Sequence, residues 1–237
     1  MAKRKTSKTS KTHRWSLRRV TTYLWRGLAF AAVFAVCLIF AGRFIPPWTT
    51  PYMATESSRL GGVAYDWVAL HDIAPVMARA AVAAEDANFC THWGFDMVAI
   101  RKAIEGGGAR GASTISQQTV KNLYLWHGRN YTRKALEALL TPVLEALWPK
   151  RRIIEVYLNI AEFDTGVFGV KAAAQHYFGV APRDLTATQA ARLAAILPDP
   201  KDRSASKPSR FVRQRASSIL DGAATIRKDG RAACFES

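Results

Sequence analysis

The sequence predicts an all-α protein with one apolar helix near its N-terminus, and two observations support this. Between residues 75 and 226, apolar residues recur at three- and four-residue spacing in segments separated by Pro, Gly and Ser, as in helices that bury one face. Residues 27–42 form a run without a charge. The chain has 237 residues, 49% of them apolar, which suits one domain plus an anchor.

The N-terminal region is basic and precedes the apolar run. The first acidic residue of the chain is Glu56. The basic residues before the run are Lys3, Arg4, Lys5, Lys8, Lys11, Arg14, Arg18, Arg19 and Arg26. Basic residues on one side of an apolar helix mark that side as cytoplasmic. We therefore expect a disordered basic tail at 1–22, held near anionic cytoplasmic lipids, and a domain on the other side of the membrane.

The apolar run is short for a membrane span. Its sixteen residues would extend about 24 Å as a helix, so aromatic residues at each end, Tyr23 with Trp25 and Phe44 with Trp48, are needed to complete the span. We predict a transmembrane anchor at 23–44, with Arg26 and Arg43 directed outward, followed by a linker at 45–62. A cleaved signal peptide is the alternative, but no clear small-x-small site precedes residues 43–47.

An acidic and aromatic segment, residues 85–96, follows the first helix of the domain. That helix is predicted from Pro75 to Ala84, with Asp72 as its cap. Glu85 then lies at the helix C-terminus, where the macrodipole and the aromatic neighbours disfavour an ionised carboxylate. We expect a raised pKa, as a general base near neutral pH requires. The alternative is that Glu85 and Asp86 only make a helix end soluble.

A second polar segment follows a glycine-rich run that includes Gly106 to Gly108 and Gly111. Ser113 or Thr114 can cap the next helix, on which Gln118, Lys121 and Asn122 share one face. Such a stripe is more typical of a ligand-binding face than of a solvated surface.

A third segment places Glu137 one turn after Arg133 and Lys134, on a helix predicted from Thr132 to Trp148 with a kink at Pro142. As an exposed ion pair it would contribute only a few tenths of a kcal/mol, about 0.3–0.5. Beside the other two segments it supplies a second carboxylate and two cations for an anionic group.

The rest of the domain is predicted as helix and loop. Thr186 with Gln189 forms a capping-box signature, and a polar loop at 198–210 precedes a final helix from Phe211 to Ile226. The three cysteines are too few for a disulfide scaffold or a zinc site, so we expect Cys90 to serve in packing.

Taken in order, these motifs resemble those of the peptidoglycan glycosyltransferases of glycosyltransferase family 51, and most closely the stand-alone biosynthetic type. The matching segments are Glu85-Asp86 with Phe89, His92 and Gly94, Gly111 to Asn122, Arg133-Lys134 with Glu137, Ile153 to Asn159, 166–179 and 185–194. One departure is Asp164-Thr165, where the family frequently has a glycine. The resemblance implies a lysozyme-like helical catalytic domain over 63–237 that polymerises lipid II into a β-1,4 glycan and releases undecaprenyl diphosphate.

The resemblance also implies roles for individual residues. Glu85 is the expected base for the acceptor 4-hydroxyl, and Glu137 the residue that orients the donor. The expected substrate-binding residues are Asp86, Phe89, His92, Ser113, Thr114, Gln118, Lys121, Asn122, Arg133 and Lys134. No protein metal site is expected, although the family chemistry leaves room for a divalent cation, Mg²⁺ or Mn²⁺, on the diphosphate.

The expected partners are lipid II, the nascent glycan strand, membrane lipids and cell-wall synthesis proteins such as penicillin-binding proteins. The net charge of +16 does not indicate nucleic acid, since no recognised nucleic-acid motif accompanies it. The Ser204 to Lys207 spacing resembles a transpeptidase motif but lacks its companions, so cross-linking is not expected. Two alternatives are a lytic transglycosylase, which would not need the cations, and an inactive membrane scaffold.

Overall fold

Helices make up most of the chain in the computed structural model, which describes residues 11–106, 113–128 and 130–236. The all-α prediction is confirmed. The helices are α1 (Lys11–Gly42), α2 (Pro51–Leu60), α3 (Pro75–Glu85), α4 (Met97–Glu105), α5 (Ile115–Tyr124), α6 (Tyr131–Leu147), α7 (Lys150–Ile160), α8 (Gly169–Phe178), α9 (Ala187–Ile196), α10 (Arg210–Lys228) and α11 (Ala233–Glu236).

The N-terminal helix α1 is apolar from Arg18 to Gly42, which is long enough to cross a membrane. This stretch exceeds the uncharged run because Tyr23 and Trp25 continue the helix. The predicted linker, 45–62, contains α2, whose first turn is capped by the Thr50 side chain. Because α2 packs against α5, this segment forms part of the folded domain.

The C-terminal end of α1 is fixed to the domain by what we call the anchor clamp, which consists of Trp148 and Arg152. The Trp148 indole Nε1 donates to the Ile39 carbonyl at 2.6 Å, and Arg152 Nη2 donates to the Gly42 carbonyl at 3.0 Å. A Cβ at Gly42 would lie 2.7 Å from the Tyr124 hydroxyl, so glycine permits this close approach.

Arg43, which was predicted to extend outward from the membrane span, is exposed and also contacts the domain. Its Nη1 donates to the Leu147 carbonyl at 2.8 Å. A carbonyl at the end of α6 has no partner within its own helix, and this explains the attraction of the arginine.

The core contains two helical groups that position the site. Helices α3, α9 and α10 pack together, and their close approach is possible because α3 and α9 bury mainly alanines, including Ala80, Ala81 and Ala194. Helix α5 packs against α6 and α7, and α7 buries Ile153 and Ile154 completely. The end of α3 and one face of α5 therefore lie beside each other.

A small sheet was missed by the sequence analysis. It contains β1 (Ala64–Tyr65), β2 (Glu162–Asp164) and β3 (Val167–Phe168) in the order β1-β3-β2. Strand β3 is parallel to β1, with Ala64 opposite Val167, and antiparallel to β2. Strands of two or three residues are too short to show an alternating pattern.

Two local predictions were wrong. Asp72 does not cap α3, which begins after Ala74 without a side-chain cap; instead, Asp72 accepts from Arg183 at 2.7 Å. Cys90 is not a free packing residue, because it forms a disulfide with Cys234, 144 residues away. A pairing over that separation leaves no spacing signal in the sequence.

Candidate active site

Glu85 is the last residue of α3, as the sequence predicted, and its side chain is 13% exposed. Gln118 Nε2, from α5, donates to Glu85 Oε2 at 2.9 Å. Arg215 Nη2, from α10, lies 3.5 Å from Glu85 Oε1 and is the cation within ion-pair distance of Glu85 in the described part of the chain. The carboxylate is thus buried at the meeting point of three helices with limited compensation for its charge.

The pKa of Glu85 is raised, and burial is the main cause because it removes the charged form from water. The hydrogen bond from Gln118 and the charges of Arg215 and Lys121 oppose this rise, whereas Asp86 adds to it. The predicted direction of the pKa shift is therefore confirmed, and desolvation is its main cause.

The loop after Glu85 is fixed by Asp86. Asp86 Oδ1 lies 2.7 Å from His92 Nε2, and Asp86 Oδ2 accepts from the backbone N–H of Ile115 at 3.0 Å. Because Ile115 is the first residue of α5, this carboxylate joins the loop to the helix that carries Gln118.

Thr114 connects the same loop to α5 from the other side. Its hydroxyl donates to the Gly94 carbonyl at 2.7 Å, and it forms a capping box with Gln117. Gly94 has φ +85°, and a Cβ there would lie 2.7 Å from a Thr141 methyl carbon, so a larger residue would be strained. The cap predicted at Ser113 or Thr114 is Thr114.

The polar stripe on α5 lines a cavity of about 320 Å³. Gln118, Lys121 and Asn122 share this cavity with Tyr157 and Lys201. Asn122 Oδ1 is buried and accepts no hydrogen bond from the described residues, so it is available to a donor in a bound molecule. The prediction that these three side chains share a face is confirmed.

The charges of both Glu85 and Glu137 act on the ammonium group of Lys121. Burial lowers its pKa, and Arg133 and Lys134 lower it further, whereas Glu137 and Glu85 oppose the shift. A buried ammonium among other cations favours an anionic ligand, which would supply the missing negative charge.

Glu137 is clamped by the two basic residues that precede it. Arg133 Nη1 donates to Glu137 Oε2 at 2.9 Å, and Lys134 Nζ donates to Glu137 Oε1. The Glu137 side chain is 3% exposed and that of Arg133 12%, whereas that of Lys134 is 48% exposed. The carboxylate is therefore buried, unlike that of the ordinary surface pair that was the alternative. Lys134 also donates to the hydroxyl of exposed Ser113 at 3.4 Å.

Phe89 occupies a different position from the other predicted site residues. Its side chain is fully buried and lies 6.3 Å from Phe235 between ring centroids. Lys150 Nζ lies 4.4 Å from the centre of the Phe89 ring. Phe89 therefore contacts the core beneath the loop. Of the glycine-rich run, residues 107–112 lie outside the described residues.

Sequence reasoning missed Arg215 and Lys150. Arg215 lies 130 residues from Glu85, in a helix that was expected only to pack. Lys150 donates to the His92 carbonyl at 2.9 Å and to Glu145 at 2.7 Å, beneath the acidic loop. Neither residue belongs to a local motif, and a basic residue on a helix in a chain of net charge +16 carries little information.

The described residues do not form a protein metal site. No group of three His, Cys, Asp or Glu side chains that could hold a metal occurs among them. Both oxygens of Glu137 accept from cations, so this carboxylate is already neutralised.

A family model described as Transglycosylase matches residues 55–224. The chain belongs to this transglycosylase family. Curated relatives carry the name biosynthetic peptidoglycan transglycosylase. The relative from Jannaschia sp. (strain CCS1) is 57% identical over 237 residues, covering 99% of each chain. The relative from Caulobacter vibrioides (strain ATCC 19089 / CIP 103742 / CB 15) is 46% identical over 222 residues, covering 92% of this chain and 96% of the relative.

The transglycosylase match begins within α2 and ends within α10, so it includes both carboxylates, the cations of the cluster and Arg215. It does not include residues 225–237.

Proposed function

We propose that this transglycosylase is a peptidoglycan glycosyltransferase that joins lipid II units into β-1,4-linked glycan strands and releases undecaprenyl diphosphate. The observation that carries the proposal is the pairing of a desolvated carboxylate, Glu85, with a separate cluster of cations around Glu137. Sugar transfer from a diphosphate needs both parts, a base for the acceptor and positive charge for the leaving group.

Glu85 is proposed as the general base. The acceptor 4-hydroxyl forms a bond to the anomeric carbon of the growing strand, and Glu85 accepts the hydroxyl proton as that bond forms. Its raised pKa suits proton transfer near neutral pH. Gln118 holds one carboxylate oxygen, which leaves the other directed toward Arg215 at 3.5 Å.

Lys121, Arg133 and Lys134 are proposed to bind the diphosphate. As the bond between the anomeric carbon and the diphosphate oxygen breaks, negative charge accumulates on the leaving group, and fixed cations stabilise it. Glu137 holds Arg133 and Lys134 in place by its ion pairs, and through them orients the donor.

The remaining predicted residues are proposed to position these groups or to donate hydrogen bonds to substrate. Asp86 and His92 fix the loop, and Phe89 supports it from the core. Ser113 contacts Lys134, and Thr114 caps α5, so both lie next to the proposed diphosphate site. Asn122 offers its unpaired Oδ1 to a sugar hydroxyl or amide.

A polymerisation assay tests the function and separates the alternatives. We expect the full-length protein in detergent to convert purified lipid II into strands that a muramidase digests. A lytic transglycosylase would instead release fragments from purified cell-wall sacculi, and an inactive scaffold would do neither. Failure to polymerise lipid II under conditions where a related enzyme is active would refute the proposal.

For localisation, we propose a single-pass protein of the bacterial inner membrane with a cytoplasmic N-terminus and a periplasmic catalytic domain. The basic residues before α1 support this orientation. The disulfide between Cys90 and Cys234 supports it independently, because structural disulfides form in oxidising compartments outside the cytoplasm.

Cysteine labelling of intact cells tests the orientation. In a Cys37→Ser background, a thiol reagent that does not cross the inner membrane should label Ser58→Cys, at an exposed position of α2, and spare Ser7→Cys in the tail. Labelling of the tail alone would reverse the proposed orientation.

We further propose that separate penicillin-binding proteins cross-link the strands and act as partners. Co-purification from crosslinked membranes, with the Glu85→Gln protein as bait to hold nascent strands, tests the association.

A further inference from the structure

The last described residues of the chain hold the loop that follows the proposed base, Glu85. We call residues 229–236 the C-terminal strap. Cys234 in the strap is bonded to Cys90 in the loop, with 5.6 Å between their Cα atoms. The strap lies beyond the residues that match the family model, so the family match does not account for it.

The strap contacts the protein on both sides of Glu85. Glu236 Oε1 accepts from Arg79 Nη1 at 2.7 Å, and Arg79 belongs to α3, the helix that ends at Glu85. Arg231 Nη1 donates to the Ala87 carbonyl at 3.0 Å, two residues after Glu85. Together with the disulfide at Cys90, these contacts hold three positions around the carboxylate.

The strap is also anchored in the core. Phe235 is 1% exposed and packs beneath the loop against Phe89, and α11 packs against α7. Arg151 donates to the Phe235 carbonyl at 3.4 Å. The strap therefore connects a loop without regular secondary structure to the buried helix α7.

We propose that the C-terminal strap is a positioning element for Glu85 and that the Cys90–Cys234 disulfide makes polymerisation sensitive to thiol reduction. This inference rests on the proposed function. The strap acts through the loop: by holding Ala87 and Cys90 in place, it keeps the Glu85 carboxylate desolvated and correctly directed.

The redox step is a thiol–disulfide exchange. The two thiols of Cys90 and Cys234 together lose two electrons and two protons to an oxidising protein disulfide, which becomes a dithiol as the Cys90–Cys234 bond forms. A dithiol reductant reverses the exchange and releases the strap from the loop. Cys37, on α1, is a free cysteine and takes no part.

The test compares the oxidised protein, the same protein treated with a dithiol reductant, and Cys234→Ser, all full-length and supplied with purified lipid II. Reduction and Cys234→Ser should each lower kcat about tenfold, while KM for lipid II stays within about twofold. The acid limb of the pH–rate profile should move to lower pH, because a loosened loop admits water to Glu85. Gln118, Arg215, Lys121 and Asp86 are the other groups that act on this carboxylate.

Two controls isolate the disulfide. Cys37→Ser should behave as the parent does before and after reduction, and the reductant should have no further effect on Cys234→Ser. Circular dichroism of the reduced parent shows whether the helices remain, so the test does not depend on folding of the variant.

The outcomes separate this inference from the function on which it rests. Suppose that the oxidised protein polymerises lipid II and that reduction changes neither its kcat nor the acid limb of its pH–rate profile. The proposed role of the strap is then overturned, and the proposed function remains intact. An oxidised protein that does not polymerise lipid II overturns both. Loss of helical signal on reduction also overturns the inference, because the disulfide would then support the whole fold and not the position of Glu85.

Discussion

The two carboxylates of the candidate active site, Glu85 and Glu137, differ in how their charge is compensated. Glu85 accepts one hydrogen bond from a neutral amide and lies 3.5 Å from one arginine. Glu137 is more deeply buried, with a side chain 3% exposed against 13% for Glu85, yet each of its oxygens accepts from a cation. Two glutamates that are both largely removed from solvent therefore lie in different electrostatic environments.

This difference assigns different chemistry to the two residues. A desolvated carboxylate with little compensation gains by taking a proton, which is the property of a base. The Glu137 carboxylate instead accepts from Arg133 and Lys134 on both oxygens, which suits a residue that holds two cations in place. The charged partners of each carboxylate, more than its burial, distinguish Glu85, the proposed base, from Glu137, which is proposed to hold the cations of the diphosphate site.

The largest expected effect is on activity when the two carboxylates are neutralised in turn. Glu85→Gln keeps the side chain's shape but cannot accept a proton, so polymerisation should fall about 10²–10⁴-fold. Glu137→Gln should cost about tenfold by loosening the donor site. Single-turnover polymerisation of lipid II measures both, with exposed Glu105→Gln on α4 as the matched control.

Binding of lipid II or of a moenomycin-type antibiotic should persist in Glu85→Gln. If Glu137→Gln were inactive while Glu85→Gln kept most of its activity with its helical circular dichroism intact, the two assignments would have to be exchanged.

The next effect concerns the cations. Lys121→Ala and Arg133→Ala should each slow polymerisation by about a hundredfold, if each stabilises charge in the transition state by roughly 3 kcal/mol. Exposed Lys102→Ala and Arg101→Ala on α4 are the matched controls. Initial rates with saturating lipid II give the comparison. If Lys121→Ala or Arg133→Ala polymerised lipid II at the parent rate, that residue would not belong to the diphosphate site.

The stability of the fold should change in opposite directions when Glu85 and Glu137 are each replaced by glutamine. The folded-state pKa of Glu85 is raised, so its contribution to stability is present below its unfolded pKa and is lost as pH rises through the folded value. At pH 7.5 the buried charge is a cost, and Glu85→Gln should stabilise the fold by about 1 kcal/mol, or roughly 2–4 °C in Tm.

Glu137→Gln should do the reverse. It leaves Arg133 and Lys134 without their counter-ion and should destabilise the fold by roughly 1–3 kcal/mol. Thermal unfolding of the two variants in the same detergent, followed by circular dichroism, makes the comparison. Shifts of the same sign would show that the two environments do not differ in the way described.

The smallest expected effect is on pH dependence. Activity should fall at low pH as Glu85 becomes protonated at its raised pKa, and at high pH as Lys121 loses its proton at a lowered pKa. Lys121→Arg keeps a permanent cation and should move only the alkaline limb upward. A profile in which the acid limb moved instead would assign the limbs to other groups.

The sequence predicted the parts of the site that lie within single segments. Gln118, Lys121 and Asn122 were predicted together because a helical period places them on one face, and Arg133 with Glu137 because they are one turn apart. Arg215, the strap and the disulfide were missed because each depends on contacts between segments more than 100 residues apart. The helices were predicted well because each one leaves its periodic pattern within a single segment. Strands β1, β2 and β3 were too short to leave a pattern.

The anchor clamp couples the orientation of α1 to that of the domain. Since Trp148 and Arg152 fasten its last turn to α6 and α7, a tilt of α1 is passed to the domain without an intervening hinge. A helix in a bilayer changes its tilt with the thickness of the hydrocarbon core. In a membrane, a change in lipid thickness that tilts α1 would therefore also tilt the domain.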